Sequence, residues 1–91
     1  MTNVQKSIQR YINQMFIGEN VKTELVGDCQ VKVIENGGRV TLTMNIYGDI
    51  MDVETRKILA ESDLPHDLMR IGYGEMPHSW HEVQRYEPVH T

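Results

Sequence analysis

The sequence predicts an α+β fold: an N-terminal amphipathic helix packed on a four-stranded antiparallel meander, followed by two short C-terminal helices. Three observations lead to this prediction. Apolar residues recur at helical spacing through residues 2–17. Apolar and polar residues alternate through residues 40–47, with the period of a half-buried strand. Turn sequences at Gly27-Asp28 and Asn36-Gly37 separate the shorter apolar segments, as in antiparallel hairpins.

The first element is predicted to be a helix from Thr2 to Ile17. Thr2 and Gln5 have the spacing of a capping box, and Gly18 stands where a helix often ends. A stripe of apolar side chains runs along one side of this helix and is predicted to pack on the sheet. Its members are Val4, Ile8, Tyr11, Ile12, Met15 and Phe16.

The first hairpin is predicted to join a strand over residues 21–26 to a second strand over residues 29–35 through the turn Gly27-Asp28. A two-residue turn places Glu24 opposite Val31, which mixes a polar with an apolar side chain. The register of the first strand is therefore left open. Cys29 is predicted to lie on the apolar face of the sheet, where a thiol is an inert small hydrophobe.

The Asn36-Gly37 turn sets the register of the second hairpin. Two residues in the turn place Lys32 opposite Thr41 and give three apolar pairs on the other face. Those pairs are Val33–Val40, Val31–Leu42 and Cys29–Met44.

The third strand is predicted to be long, with a bulge or bend at Gly48, and to return through a loop over residues 53–56. Asp52 then lies opposite Lys57, Met51 opposite Ile58 and Ile50 opposite Leu59.

The C-terminal third is predicted to form two short helices. The first begins near Asp63 and ends at Gly72, and the second runs from Pro77 to about Tyr86. Because helices this short are marginal alone, their order depends on packing. Residues 1–91 are predicted to be a single domain, since the chain contains no linker and no repeat.

Charge argues against nucleic acid as a partner. The net charge is −4, and residues 48–91 carry nine acidic against four basic side chains. An acidic surface repels phosphate.

The expected compartment is the cytoplasm. Cys29 is the only cysteine, so no internal disulfide can form. No apolar run approaches the roughly 18 residues of a membrane helix, and MTNVQKSIQR lacks the apolar segment of a signal peptide.

Histidines and carboxylates provide weak candidates for chemistry. His78 and His81 would share one side of a helix and could hold a divalent metal, with His66 or His90 as further ligands. Asp49, Asp52 and Glu54 could form an acid–base set or a site for a hard cation. None of these sets forms a specific motif. The prediction is therefore that the protein is not an enzyme and has no cofactor and no metal.

The leading hypothesis is a small acidic protein-interaction module, an inhibitor or adaptor of the kind that viral and accessory genomes carry. The C-terminal third is rich in residues typical of interfaces. The chain is also predicted to form a homodimer, with Tyr47 and the Trp80 helix near the interface. The alternatives are a small-ligand-binding protein with a pocket between sheet and helix, and a metal-assisted enzyme at His78 and His81. The predicted partner-binding residues are Tyr47, Tyr73, Met76, Trp80 and Tyr86.

Overall fold

The computed structural model describes residues 1–16, 20–66, 71 and 74–83, and within them the chain forms one α-helix and six strands. The strands make one antiparallel sheet in chain order, so every strand pairs with its sequence neighbour. The α+β class and the antiparallel sheet are confirmed, but the predicted number of four strands is wrong. The elements are α1 Asn3–Met15, β1 Lys22–Val26, β2 Gln30–Glu35, β3 Gly38–Met44, β4 Ile50–Asp52, β5 Ile58–Ser62 and β6 Trp80–Glu82.

The helix α1 begins with the predicted capping box. The hydroxyl of Thr2 accepts a hydrogen bond from the backbone N–H of Gln5 (3.2 Å), and the Gln5 side chain accepts one from the backbone N–H of Thr2 (3.0 Å). These two bonds satisfy donors that the first helical turn leaves without partners. The predicted end at Ile17 and Gly18 lies outside the described residues.

The core lies between α1 and one face of the sheet. Residues on the other face, such as Lys32, Thr41 and Thr43, remain partly exposed, as predicted. The side chains of the apolar stripe on α1 are buried or pack against the core, as predicted. The buried apolar residues are Ile8, Tyr11, Ile12, Val31, Val33, Leu42, Ile50, Ala60 and Trp80.

The β1–β2 loop has three residues rather than the predicted two. Val26 pairs with Gln30, which moves Glu24 opposite Lys32 and removes the mismatch with Val31. Cys29 is therefore in the loop and exposed, so its predicted burial on the apolar face is wrong.

A tertiary contact accounts for this loop. The amide Nε2 of Gln5 donates to the backbone oxygens of Gly27 (3.0 Å) and Gln30 (3.1 Å). Both bonds come from a buried side chain on α1, so the helix holds the loop in its three-residue form.

The β2–β3 hairpin has the predicted register, with Val33 opposite Val40 and Val31 opposite Leu42. Asn36 and Gly37 both have positive φ, at 40° and 82°. Two positive φ angles are the geometry of the turn that an Asn-Gly pair favours.

The predicted long third strand is wrong, because the chain reverses direction between Met44 and Ile50. These two residues pair with each other, so β3 and β4 form a separate hairpin. The backbone of Gly48 has φ 88° and donates to the oxygen of Asn45 (3.0 Å). The alternation through residues 40–47 would place Ile46 on the inward face of a strand; in the turn its side chain is 47% exposed.

The β4–β5 hairpin follows the prediction in two of three pairs. The N–H of Asp52 donates to the oxygen of Lys57 (3.0 Å), and Met51 pairs with Ile58. Ile50 pairs with Ala60 rather than with Leu59, because the register shifts by one residue between positions 50 and 51.

The predicted helix from Pro77 to Tyr86 is wrong where the structure describes it. Trp80–Glu82 forms the strand β6, which pairs with β5. The strand forms because it pairs with β5 over three residues, whereas an isolated short helix is only marginally stable. No second α-helix occurs in the described residues, and much of the first predicted short helix falls on residues 67–70, outside them. In the described part of the chain, no helix has the length and hydropathy needed to span a bilayer.

Candidate functional site: a groove between the helix and the end of the sheet

A buried carboxylate, Asp49, organises the turn between β3 and β4. It is 2% exposed, and its Oδ1 accepts hydrogen bonds from the backbone N–H of Ser62 (3.0 Å) and lies 2.9 Å from Nε2 of His66. Its Oδ2 accepts a bond from the amide of Asn45 (3.2 Å). We call Asn45, Asp49, Ser62 and His66 the Asp49 cluster. A buried carboxylate requires partners of this kind.

The remaining bonds of the Asp49 cluster also serve the fold. Asn45 Oδ1 accepts from the backbone N–H groups of Tyr47 (2.9 Å) and Asp49 (3.0 Å), which holds the turn. The hydroxyl of Ser62 donates to the oxygen of Tyr47 (3.0 Å). The ring of Tyr47 lies 5.3 Å from the ring of His66. The cluster thus joins the β3–β4 turn to the end of β5 and to the segment after it.

A cavity lies between α1 and the β4–β6 end of the sheet. It has a volume of about 540 Å³ and is partly open to solvent. Small-molecule and peptide sites commonly have volumes in this range. We call it the Tyr11 groove. It is lined by Tyr11, Arg56, Lys57, Ile58, Leu59, Glu82 and Val83.

The pairing of β5 with β6 positions one side of the Tyr11 groove. Ala60 pairs with Glu82, and the N–H of Val83 donates to the oxygen of Leu59 (3.1 Å). This ladder places Glu82 beside Ala60 and puts Val83 next to Leu59.

The helix positions the other side. Arg10 Nη1 donates to the backbone oxygen of Pro77 (2.8 Å), and Gln14 Nε2 donates to that of Trp80 (2.8 Å). The indole N–H of Trp80 donates to the oxygen of Gly48 (2.8 Å), and its ring meets Tyr11 edge to face at 5.8 Å. Trp80 therefore fixes the ring of Tyr11 at the wall of the groove.

Charge is arranged unevenly along the groove. Arg56 and Lys57 are exposed at the β4–β5 loop, and Glu82 lies beside Ala60 at the other end. From Lys57 to Ala60 is three residues of extended chain, or about 10 Å. The lining therefore combines two cationic side chains, one carboxylate and the apolar residues Ile58, Leu59 and Val83.

The phenol of Tyr11 lies close enough to Glu82 to feel its charge. Burial raises the pKa of Tyr11 above 10.0, and the carboxylate of Glu82 raises it further. The phenol therefore keeps its proton at physiological pH.

The predicted partner-binding residues lie in different environments. Trp80 is 4% exposed and belongs to the core. It lies on β6, so its predicted position on a helix is wrong. Tyr47 and Met76 are partly buried, while Tyr73 and Tyr86 are outside the described residues. The role of this set in partner binding stays a prediction.

The candidate metal ligands, which the sequence analysis weighed and did not favour, lose the geometry on which they depended. His81 is on β6, with Nε2 3.5 Å from a carboxylate oxygen of Glu61, and His78 precedes that strand. The i, i+3 spacing brings two imidazoles together on a helix, not on this segment. In residues 1–16, 20–66, 71 and 74–83, no group of three or more His, Cys, Asp or Glu is arranged to hold a metal.

The predicted carboxylate set is divided between two turns. Asp49 is buried in the β3–β4 turn. Asp52 Oδ1 accepts the backbone N–H groups of Glu54 (2.8 Å) and Thr55 (3.3 Å) in the β4–β5 turn. In both turns the acids act as hydrogen-bond acceptors for the backbone.

Sequence reasoning missed the Asp49–His66 pair, and its alternative hypothesis of a pocket between sheet and helix named none of the residues that line the Tyr11 groove. The groove had one available signal: Tyr11 is the only residue of the apolar stripe with a polar end. Its partners, Arg56 and Glu82, come from distant segments, and pairing of β5 with β6 was not predicted. Only that pairing brings them to one site.

Comparison with protein-family models, with curated proteins and with solved structures found no match to this chain.

Proposed function

We propose that this protein is a protein-interaction module that binds an extended peptide segment of a partner in the Tyr11 groove. The observation that carries the proposal is the groove itself, which is lined by two cationic side chains, one carboxylate and apolar residues. Grooves open along one side suit a chain that passes through, because both ends of the ligand remain outside.

The charges define the chemistry of the expected segment. Arg56 and Lys57 favour an acidic side chain, the floor at Ile58 and Leu59 favours an apolar one, and Glu82 favours a basic one. Alternate residues of an extended chain share one face. A segment of the form acidic–x–apolar–x–basic therefore presents all three side chains to the groove, over about 13 Å.

A small ligand is the second candidate, because a volume of about 540 Å³ can hold one. The open side favours the peptide, since a small ligand gains most from a site that encloses it.

The test is selection of 12-residue peptides from a displayed random library with the full chain. We expect the selected peptides to share the acidic–x–apolar–x–basic pattern. Lys57→Glu should weaken their binding by about tenfold, since it places a carboxylate against the acidic side chain. The matched control is Lys6→Glu, which makes the same charge change on an exposed position outside the groove and should leave binding unchanged.

Two results would overturn the peptide proposal. One is a selection that yields no common pattern. The other is equal weakening by Lys57→Glu and Lys6→Glu, which would assign binding to net charge. If the first result is found, NMR shifts confined to groove residues on addition of small-molecule fragments would support the small-ligand function instead.

A further inference from the structure

We infer that the free edge of β1 pairs with β1 of a second copy of this chain. The strand order places β1 at one end of the sheet, and no other strand in the described residues pairs with its outer edge. Five consecutive residues of β1 pair with β2 without a bulge. Such an edge presents backbone groups in regular order and can accept a further strand.

The side chains of β1 make this edge self-complementary. Thr23 lies opposite the buried Val33, so it shares the face that α1 covers. Lys22 and Glu24 flank it on the opposite face, and they carry opposite charges.

A two-fold axis perpendicular to the sheet determines what each side chain meets. In an antiparallel pair centred on Thr23, Thr23 faces its own copy, and Lys22 faces Glu24 of the second copy. Glu24 has a side chain that is 60% exposed although it lies 3.8 Å from Lys32, so it has room for this second cation. Symmetry produces the ion pair twice.

The same register covers an exposed apolar side chain. Leu25 is 49% exposed, yet it lies opposite the buried Val31 on the helix-covered face. In the Thr23-centred pair, Leu25 faces Val21 of the second copy, and Val21 packs against the core. The core would then continue from one copy into the other.

The other registers are poorer. Centring on Lys22 or on Glu24 places that residue against itself, and like charges directly opposite are destabilising. Centring on Leu25 also keeps three residues inside the strand, 24–26, but it places Glu24 opposite Val26 and forms no ion pair between Lys22 and Glu24. The charge pattern therefore selects both the partner, a second copy, and the register.

This surface differs from the dimer interface expected around Tyr47 and Trp80. It is also separate from the Tyr11 groove, which lies at the β4–β6 end of the sheet. Dimerisation and peptide binding can therefore be tested independently.

Sedimentation equilibrium of the full chain and of two single variants tests the charge pairing. Lys22→Glu makes both symmetric pairs acidic, and Glu24→Lys makes both basic. The dissociation constant of the dimer should therefore be about tenfold higher for each variant than for the parent. An equimolar mixture of the two variants should recover the dimer mass, because each acidic edge then meets a basic one. Thermal melts of each variant confirm that it is folded.

Cross-linking tests the position of the axis. In a Cys29→Ser background, Thr23→Cys should form a disulfide-linked dimer under mild oxidation, since directly opposite residues have neighbouring Cβ atoms. Thr55→Cys, exposed in the β4–β5 loop, is the matched control and should remain monomeric on a non-reducing gel.

Three results would overturn this inference. The first is a monomer mass at all accessible concentrations. The second is a dimer that neither charge variant weakens. The third is equal cross-linking through positions 23 and 55.

Discussion

The Asp49 cluster and the Tyr11 groove lie on either side of Trp80 and use polar groups in opposite ways. Asp49 is 2% exposed, and its side chain contacts Asn45, Ser62 and His66 within the fold. In the groove, by contrast, Arg56 and Lys57 are exposed.

The difference follows from burial. A buried carboxylate with good partners holds segments together, and removing it leaves those partners unsatisfied at high cost. An exposed cation stabilises its own fold little, so it is available for a ligand. The buried Asp49 therefore stabilises the fold, whereas the exposed cations of the groove contribute little to its stability.

The sharpest contrast is between Asp49→Ala and Lys57→Ala. Asp49→Ala leaves the buried N–H of Ser62 and the amide of Asn45 without their hydrogen-bond acceptor. It should therefore lower the free energy of unfolding by about 3 kcal/mol or more. Lys57→Ala should change it by less than about 0.5 kcal/mol. Urea denaturation at pH 7 measures both.

Asp49→Asn refines that test. Its remaining oxygen can still accept the N–H of Ser62, but its amide meets the amide of Asn45. Asn45 cannot rotate its oxygen toward this group without losing two backbone bonds. An intermediate loss of about 2 kcal/mol is expected. A loss as small as that of Lys57→Ala would show that the cluster does not hold the fold.

The second largest effect on the free energy of unfolding is expected at Gly48, in the β3–β4 turn. A Cβ at Gly48 would lie 2.6 Å from Cγ of Pro77, and φ at Gly48 is 88°. Gly48→Ala should therefore destabilise by about 2–3 kcal/mol through strain and overpacking.

Gly74→Ala is the matched control for Gly48→Ala. Gly74 has a similar φ of 84°, but nothing lies within 4 Å of its Cβ position. A loss of only about 1 kcal/mol is expected from backbone strain alone. Equal losses at both positions would show that the contact with Pro77 contributes nothing.

The smallest effect concerns the groove and appears at alkaline pH. The pKa of Tyr11 is raised above 10.0 in the folded chain, so the folded state retains a proton that the unfolded state releases. The contribution to stability is complete below pH 10 and is lost as pH rises toward the folded pKa.

Tyr11→Phe removes this contribution. Between pH 9 and about pH 11, its unfolding free energy should fall less steeply than that of the parent. Urea denaturation across this range gives both slopes. Identical slopes would mean that burial does not protect the proton of Tyr11.

Local patterns in the sequence determined the first half of the fold. The capping box of Thr2 and Gln5, the apolar stripe of α1 and the Asn36-Gly37 hairpin all depend on residues close in sequence, and each is present. Periodicity and turn chemistry carry this information directly.

Tertiary contacts decided the rest. Gln5 on α1 selects the three-residue β1–β2 loop, and Asp49, bonded to Ser62, closes a hairpin where the pattern of apolar residues continued as one strand. Trp80 became a strand residue because β5 offered a ladder. The groove depends on these same long-range pairings, so no local pattern could reveal it. Apolar spacing along a chain records which side of an element is buried, but the partner that buries it is chosen only when distant segments meet.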